Sequence, residues 1–129
     1  MKIAIAGAGA FGTGLSISLA SNGQVTLWAR DSDAALAMAA LRENTARLPN
    51  HKIPGNVLIT SDLEHIFAAD TILLAIPAQK LGDWLEENAQ YLAGKRLIAC
   101  CKGIDQASLR GPVAQIEAYV PDAIGAMLT

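Results

Sequence analysis

The feature that most constrains the fold is a short apolar run followed at once by three regularly spaced glycines. Residues 2–6 form the kind of apolar segment that makes a strand buried on both faces of a sheet. Gly7, Gly9 and Gly12 then give the pattern G-x-G-x-x-G. Residues 13–22 follow as an apolar segment of helical length. Strand, glycine turn and helix in this order predict a unit that binds a dinucleotide.

Each glycine has its own predicted role. Gly7 lets the chain turn sharply off the strand, and Gly9 lets the backbone approach a pyrophosphate. Gly12 lets the helix pack close to the sheet. The free N–H groups at the start of the helix then face the ligand, where the helix dipole favours phosphate. The alternative is a tight turn of small residues without a ligand, but the position directly after a strand favours the nucleotide site.

Length and composition agree with one α/β domain. The 129 residues are enough for a substantial core, and a hydrophobic content of 52% suits a parallel sheet covered on both faces. The formal net charge of -2 gives no general attraction to nucleic acid or to an anionic membrane, so any phosphate site must be local. No apolar run approaches the roughly 20 residues that span a bilayer, and no signal peptide is recognised.

The two cysteines give no sign of a metal or redox site. Cys100 and Cys101 are adjacent, which disfavours a disulfide between them, and no Cys or His pattern typical of a metal site is present. Nothing near them in the sequence is arranged to activate a thiolate. We therefore expect no metal and a reduced, cytoplasmic protein.

Apolar runs and turn residues alternate along the rest of the chain. Further strands are predicted at residues 25–29, 57–60, 70–76, 96–101 and 123–128. Helices are predicted at residues 33–45, from a cap at residue 61 or 62 through 67, and at 80–92 and 111–119, with an irregular proline-rich loop at 47–56. This alternation predicts a doubly wound, mostly parallel Rossmann-type sheet of about six or seven strands with helices on both faces. Ligands bind such sheets at the carboxyl ends of the strands.

Arg30 follows the second strand, about twenty residues after the glycine loop, at the place where a carboxylate would bind the 2′-hydroxyl of the adenosine ribose. A guanidinium instead suits a 2′-phosphate and can lie on adenine. We therefore expect NADPH to bind at least as well as NADH. Asp31 is still able to reach a ribose, and the alternative for Arg30 is a surface residue paired with Asp31 or Asp33.

Two later strand ends are also candidates. Lys102 follows the fifth strand and precedes Gly103, which predicts an ammonium group in the cleft where nicotinamide and substrate meet. A cation there can bind a substrate phosphate or polarise a carbonyl oxygen as hydride arrives. An ordinary exposed lysine is the alternative. Pro77, at the end of the fourth strand, is expected to belong to the wall beside the nicotinamide ribose.

Taken together, these segments resemble the bacterial-type NAD(P)-dependent glycerol-3-phosphate dehydrogenases. The matching segments are Gly-Ala-Gly-Ala-Phe-Gly-Thr at 7–13, Leu-Trp-Ala-Arg-Asp at 27–31, Asn-x-x-Arg-Leu-Pro-Asn at 44–50, Ile-Pro-Gly-Asn at 53–56, Leu-Ala-Ile-Pro at 74–77 and Cys-Lys-Gly-Ile at 101–104. They run through almost the whole chain in the family's order, and together they are much more specific than the glycine motif alone.

The resemblance implies reversible, stereospecific hydride transfer between NAD(P)H and dihydroxyacetone phosphate, which gives sn-glycerol 3-phosphate for phospholipid synthesis. It also implies that Ala10, Phe11 and Arg30 lie at the dinucleotide and that Lys102 touches both cofactor and substrate. Two positions depart from the family. Ala10 stands where serine is frequent, so a hydroxyl contact to phosphate is lost, and Cys101 precedes the lysine where serine is favoured.

The resemblance further implies that a second, mostly helical domain, which carries another catalytic lysine and most contacts to the substrate phosphate, is absent from this chain. Residues 1–129 are then the dinucleotide-binding domain, expected to bind cofactor with negligible turnover because much of the substrate positioning is missing. Apolar surface left uncovered favours self-association, for example as a homodimer. The alternatives are a ketopantoate-reductase-like NADPH enzyme and a dinucleotide-sensing module without chemistry of its own.

Overall fold

The computed structural model describes residues 2–101, 103, 106 and 108–128. Within these residues the strands are β1 (Ile3–Ala6), β2 (Val25–Trp28), β3 (Val57–Thr60), β4 (Thr71–Leu74), β5 (Arg96–Ala99) and β6 (Ile124–Met127). The α-helices are α1 (Ala10–Leu19), α2 (Ser32–Leu41), α3 (Leu63–Phe67), α4 (Ala78–Leu92) and α5 (Pro112–Tyr119). A short 3-10 helix, Ala20–Asn22, extends α1.

All six strands form one parallel sheet in the order β3-β2-β1-β4-β5-β6. β1 lies between β2 and β4, so that Ile3 pairs with Val25 on one side and with Thr71 on the other. The direction in which strands are added reverses at β1, and ligands bind at such a switch point in doubly wound folds. The predicted fold class is confirmed, and the glycine motif leaves the sheet at the carboxyl end of β1.

The core has two layers because successive side chains of a strand point to opposite faces of the sheet. Ile5 and Leu27 pack in the layer with α2, whereas Ala6 and Leu74 pack in the layer with α4. All four residues are fully buried. Burial on both faces explains why the central strands read as nearly continuous apolar runs.

Several element ends differ from the sequence prediction. α1 begins at Ala10 and not at residue 13, because Gly9 serves as its N-cap and part of the glycine motif is already helical. α2 ends at Leu41 and not at residue 45, because Arg42 adopts a left-handed conformation with φ 54°. β4 ends at Leu74 and not at residue 76, and α4 begins directly after Pro77.

The α2–β3 loop covers residues 42–56 and so begins earlier than the predicted irregular segment at 47–56. Side chains hold this loop to the rest of the fold. The Arg42 guanidinium donates to the carbonyls of Ile53 at 3.3 Å, of Pro54, and of Val57 at 2.8 Å. Asn56 Nδ2 donates to the Ala20 carbonyl at 2.6 Å. These bonds tie the start of the α2–β3 loop to its end and to the first residue of β3, and they tie its end to the short helix after α1.

Candidate functional site

The first turn of the site requires glycine at position 7. Gly7 has a φ of +116°, which side chains rarely tolerate, and its N–H donates to the Trp28 carbonyl at 3.0 Å. A Cβ at this position would lie 2.3 Å from the Ala75 carbonyl oxygen. Both the backbone conformation and the close contact with the end of β4 therefore exclude a side chain.

The other two glycines have different surroundings. A Cβ on Gly12 would lie 1.9 Å from the Gly7 carbonyl oxygen, so glycine is what allows α1 to pack against its own turn. A Cβ on Gly9 would meet nothing within 4 Å. Gly9 thus leaves open space at the helix start, as expected where another molecule is to approach the backbone.

The start of α1 is suited to an anion. Gly9 provides no side-chain cap, the first turn contains no acidic residue, and the first main-chain hydrogen bond of the helix runs from Thr13 N to the Gly9 carbonyl at 3.0 Å. The amides of Ala10, Phe11 and Gly12 precede that bond and belong to the orphan donors of a helix N-terminus. Ala10 and Phe11 are also exposed. These donors, together with the helix dipole, favour phosphate at this place.

Two open clefts flank the glycine loop. The first, about 390 Å³, lies between the glycine loop, the end of β2, α2 and the start of the α2–β3 loop. The second, about 600 Å³, lies between the glycine loop, the end of β2, the end of β4 and α4. Their linings share Ala8, Gly9, Arg30 and Arg47. The clefts therefore adjoin each other at the glycine loop and at two arginines.

Arg30 is exposed and lines both clefts. Asp31 lines the first cleft, but one of its carboxylate oxygens, Oδ1, is used as the N-cap of α2. It accepts from Asp33 N at 2.9 Å and from Ala34 N at 3.4 Å. The cap holds Asp31 at the helix start through Oδ1, and both Arg30 and Asp31 are exposed at the end of β2.

The second cleft has an aromatic wall. Trp28 and Trp84 line it, and their ring centroids are 6.1 Å apart with the planes tilted by 55°. Trp28 is fixed further because Nε1 donates to the Ser61 carbonyl at 3.0 Å. Pro77 lies in the same cleft, where it also serves as the N-cap of α4. An apolar wall beside charged groups is typical of ligand sites.

The predicted site residues are thus partly brought together. Gly7, Gly9, Arg30 and Pro77 line the second cleft, and the helix start with Ala10, Phe11 and Gly12 adjoins it. Lys102 lies outside the described residues, so its predicted role stays a prediction. Its described neighbours are Cys101, just after β5, and Gly103, which has a φ of +104°.

Two residues of the site were not singled out from the sequence, where they appeared only inside the family segment at 44–50. Arg47 lines both clefts. Asn44 is buried and donates through Nδ2 to the Ala8 carbonyl and to Thr13 Oγ1, each at 2.9 Å. The Asn-x-x-Arg spacing is a local signal for this pair, since Asn44 Oδ1 accepts from Arg47 N at 3.2 Å in a turn of the Asx type.

The cysteines at the end of β5 are neutral thiols. Burial raises the pKa of the Cys100 thiol from 9.0 to about 11, and the neighbouring Cys101 adds to the rise. Burial also raises the pKa of Cys101. The two residues pack in opposite layers of the core. Neither thiolate is activated, which agrees with the sequence interpretation.

The described part of the chain was compared with the requirements of a metal site and of a membrane-spanning helix. There, no group of three or more His, Cys, Asp or Glu side chains is placed to hold a metal ion. No helix within the same residues has the length and apolar character needed to cross a membrane.

Known proteins with similar sequences and structures share this architecture. A family model described as NAD-dependent glycerol-3-phosphate dehydrogenase N-terminus matches residues 2–128. A glycerol-3-phosphate dehydrogenase [NAD(P)+] of Ruegeria sp. is 49% identical over 129 residues, which are 100% of this chain and 40% of that protein. The corresponding protein of Roseobacter denitrificans is 48% identical with the same coverage.

Solved structures agree. The crystal structure of glycerol-3-phosphate dehydrogenase from Coxiella burnetii superimposes on this chain with a TM-score of 0.89 at 28% sequence identity. The superposition covers 98% of this chain and 39% of the Coxiella chain. A ketopantoate reductase from Ralstonia eutropha superimposes with a TM-score of 0.68 at 21% identity, over 98% of this chain and 40% of the reductase chain. At this identity the similarity shows a shared fold alone. The chain spans about 40% of the length of the curated relatives from Ruegeria and Roseobacter. It belongs to the family of NAD-dependent glycerol-3-phosphate dehydrogenase N-terminal domains.

Proposed function

We propose that this chain is the cofactor-binding part of an enzyme that reduces dihydroxyacetone phosphate to sn-glycerol 3-phosphate with NADPH or NADH. The observation that carries the proposal is the uncapped start of α1 beside the open face of Gly9, at the switch point of the sheet. Relatives that match the whole chain are named glycerol-3-phosphate dehydrogenase [NAD(P)+]. The product would serve phospholipid synthesis in the cytoplasm.

The diphosphate of the cofactor would accept hydrogen bonds from the amides at the start of α1. Arg30 and Arg47, which line both clefts, would then face the adenosine half and its 2′-phosphate. A guanidinium forms paired hydrogen bonds with phosphate and also stacks on flat rings. The buried rings of Trp28 and Trp84 would form an apolar wall of the second cleft, in which Pro77 would lie beside the nicotinamide ribose.

The cofactor would supply the hydride for the carbonyl carbon of the substrate, and the task of this chain is to hold and orient it. Lys102 would touch both cofactor and substrate and polarise the carbonyl oxygen. Since the chain spans about 40% of its curated relatives, the remaining substrate contacts would come from a further domain. By itself this part would bind cofactor with negligible turnover, because positioning of the substrate supplies much of the rate.

Self-association is a further part of the proposal. β6 is an edge strand of the sheet, and it carries exposed apolar side chains, with Ile124 exposed by 63% and Met127 by 41%. Exposed apolar edges favour contact with another chain. Light scattering coupled to gel filtration would test for a homodimer, and a monomer at all concentrations would exclude it.

Cofactor binding and activity are tested separately. Calorimetry should show saturable binding of NADPH and NADH to this chain, and absence of both would refute the proposed site. Oxidation of NADPH by the full-length protein should then be much faster with dihydroxyacetone phosphate than with ketopantoate. Preference for ketopantoate would refute the substrate, and full activity of residues 1–129 would refute the need for a second domain.

A further inference from the structure

Asn44 is a buried residue whose side-chain amide joins the glycine loop to the α2–β3 loop through hydrogen bonds at both of its ends. It is 5% exposed. Its Nδ2 group donates to the Ala8 carbonyl, 36 residues away, and to Thr13 Oγ1, 31 residues away. Its Oδ1 atom accepts from Arg47 N, three residues away. A single amide thus connects the turn after β1, the first turn of α1 and the arginine of the loop.

Each end of the Asn44 amide has a partner of the matching type. Both Nδ2 partners offer acceptor atoms, and the Oδ1 partner is a main-chain donor. An amide satisfies that set, whereas a carboxylate of the same shape has no donor for the Ala8 carbonyl. Thr13 is also fully buried, so no water replaces its partner easily. The main chain adds a further tie, since Leu48 N donates to the Asn44 carbonyl at 2.8 Å.

We propose that Asn44 is a positioning residue that couples the glycine loop to Arg47, so that the diphosphate site and the adenosine side of the cofactor site are held as one unit. This inference rests on the proposed binding of NADPH. Asn44 would not need to touch the cofactor. It would act by fixing the path of the glycine loop through Ala8 and the position from which Arg47 reaches both clefts.

Asn88 offers a matched control. It is another buried asparagine, 7% exposed, whose Nδ2 donates to the Trp84 carbonyl at 2.8 Å inside its own helix. Asn88→Ala removes a buried amide of the same kind without touching the glycine loop. Both alanine variants should lower the stability to urea, because each removes a buried hydrogen bond. Only Asn44→Ala should weaken NADPH binding, by roughly tenfold.

A double-mutant cycle separates positioning from general destabilisation. The Kd of NADPH is measured for the wild type, Asn44→Ala, Arg47→Ala and the double variant. If Asn44 acts through Arg47, its replacement should weaken binding roughly tenfold in the wild type and less than about threefold when Arg47 is already absent. Asn44→Asp should also weaken NADPH binding, since it keeps the volume and the acceptor for Arg47 N but has no donor for the Ala8 carbonyl.

Thr13→Val gives a milder test should the Asn44 variants fail to fold, because it keeps the volume and removes one acceptor. It should weaken NADPH binding by about threefold. Normal NADPH binding by Asn44→Ala or, if that variant does not fold, by Thr13→Val would overturn the inference. Equal losses with and without Arg47 would overturn it as well. In both cases the proposed function stands, whereas absence of NADPH binding by the wild type overturns the two together.

Discussion

The α2–β3 loop and the segment between β5 and α5 each carry a cationic residue of the proposed site, and the described parts of the two differ in how they are held. The α2–β3 loop carries Arg47 and is fastened by the side chains of Arg42, Asn44 and Asn56 to distant main-chain groups. The segment between β5 and α5 carries Lys102. Its described residues contact α4 through Gln106 N, which donates to Gln79 Oε1 at 3.0 Å, and leave Leu109 exposed by 78%.

The contrast separates the two halves of the proposed site. The Arg47 side is fixed by hydrogen bonds within this chain, so its ligand geometry can be tested on residues 1–129 alone. The substrate contacts of Lys102, in contrast, belong to the proposal, which assigns the remaining contacts to a second domain. We therefore expect cofactor binding, particularly of its adenosine half, to depend on this chain, and turnover to depend on the full-length protein.

The largest change is expected at the glycine loop, which both clefts adjoin. Gly12→Ala places a Cβ at 1.9 Å from the Gly7 carbonyl oxygen, so either α1 or the turn must move. We expect NADPH binding to weaken by more than about 100-fold and the free energy of unfolding to fall by several kcal/mol. Calorimetry and urea unfolding measure the two quantities.

Gly14→Ala is the matched control, because a Cβ there meets nothing within 4 Å and the residue lies within α1. It should leave NADPH binding unchanged and raise the free energy of unfolding by up to about 1 kcal/mol. Similar behaviour of the two variants would contradict the special role of position 12.

The next variant tests how the α2–β3 loop is fastened. Arg42→Met removes the guanidinium that donates to the carbonyls of Ile53, Pro54 and Val57. We expect the free energy of unfolding in urea to fall by about 2 to 4 kcal/mol, since bonds from charged donors are lost together. Arg110→Met, at an exposed position of the other loop, should change it by less than about 0.5 kcal/mol. Equal changes would show that the loops do not differ in this respect.

Arg30→Ala tests whether the cleft next to the α2–β3 loop binds the 2′-phosphate of NADPH. If the guanidinium faces the 2′-phosphate, NADPH should bind roughly tenfold more weakly while the Kd of NADH changes by less than about threefold. Calorimetry with both cofactors decides this, with Arg110→Ala as the control for loss of one exposed positive charge. Equal changes for the two cofactors would remove the argument for 2′-phosphate recognition.

A smaller change is expected in the pH dependence of stability through Cys100, two residues before Lys102. The pKa of Cys100 is raised by burial from 9.0 to about 11, so the folded chain keeps a proton that the unfolded chain releases. Its contribution to stability is complete below pH 9 and is lost as the pH rises through about 11. The thermal midpoint should therefore fall more steeply over this range in the wild type than in Cys100→Ala. Parallel curves would contradict the assigned pKa.

The sequence predicted those parts of the fold that depend on local patterns. Buried parallel strands are apolar on both faces, and the glycine motif specifies its own turn, so β1, α1 and the order of elements could be predicted. The end of α2 could not, because the conformation of Arg42 is supported by carbonyls 11 to 15 residues further along. The role of Asn44 depends on Ala8, 36 residues earlier, and no local pattern indicates such a contact.

Binding of the diphosphate at the glycine turn can be observed residue by residue in a titration of the isotope-labelled chain with NADPH, followed through the amide signals in NMR spectra. We predict saturable shifts at Gly9, Ala10 and Phe11 and at Arg30. We also predict unchanged signals for Gly94 and Lys95, which line a separate cleft with Asp70 and Arg96. Saturable shifts centred on Gly94 and Lys95, or none at the start of α1, would contradict the proposal that the glycine turn binds the diphosphate.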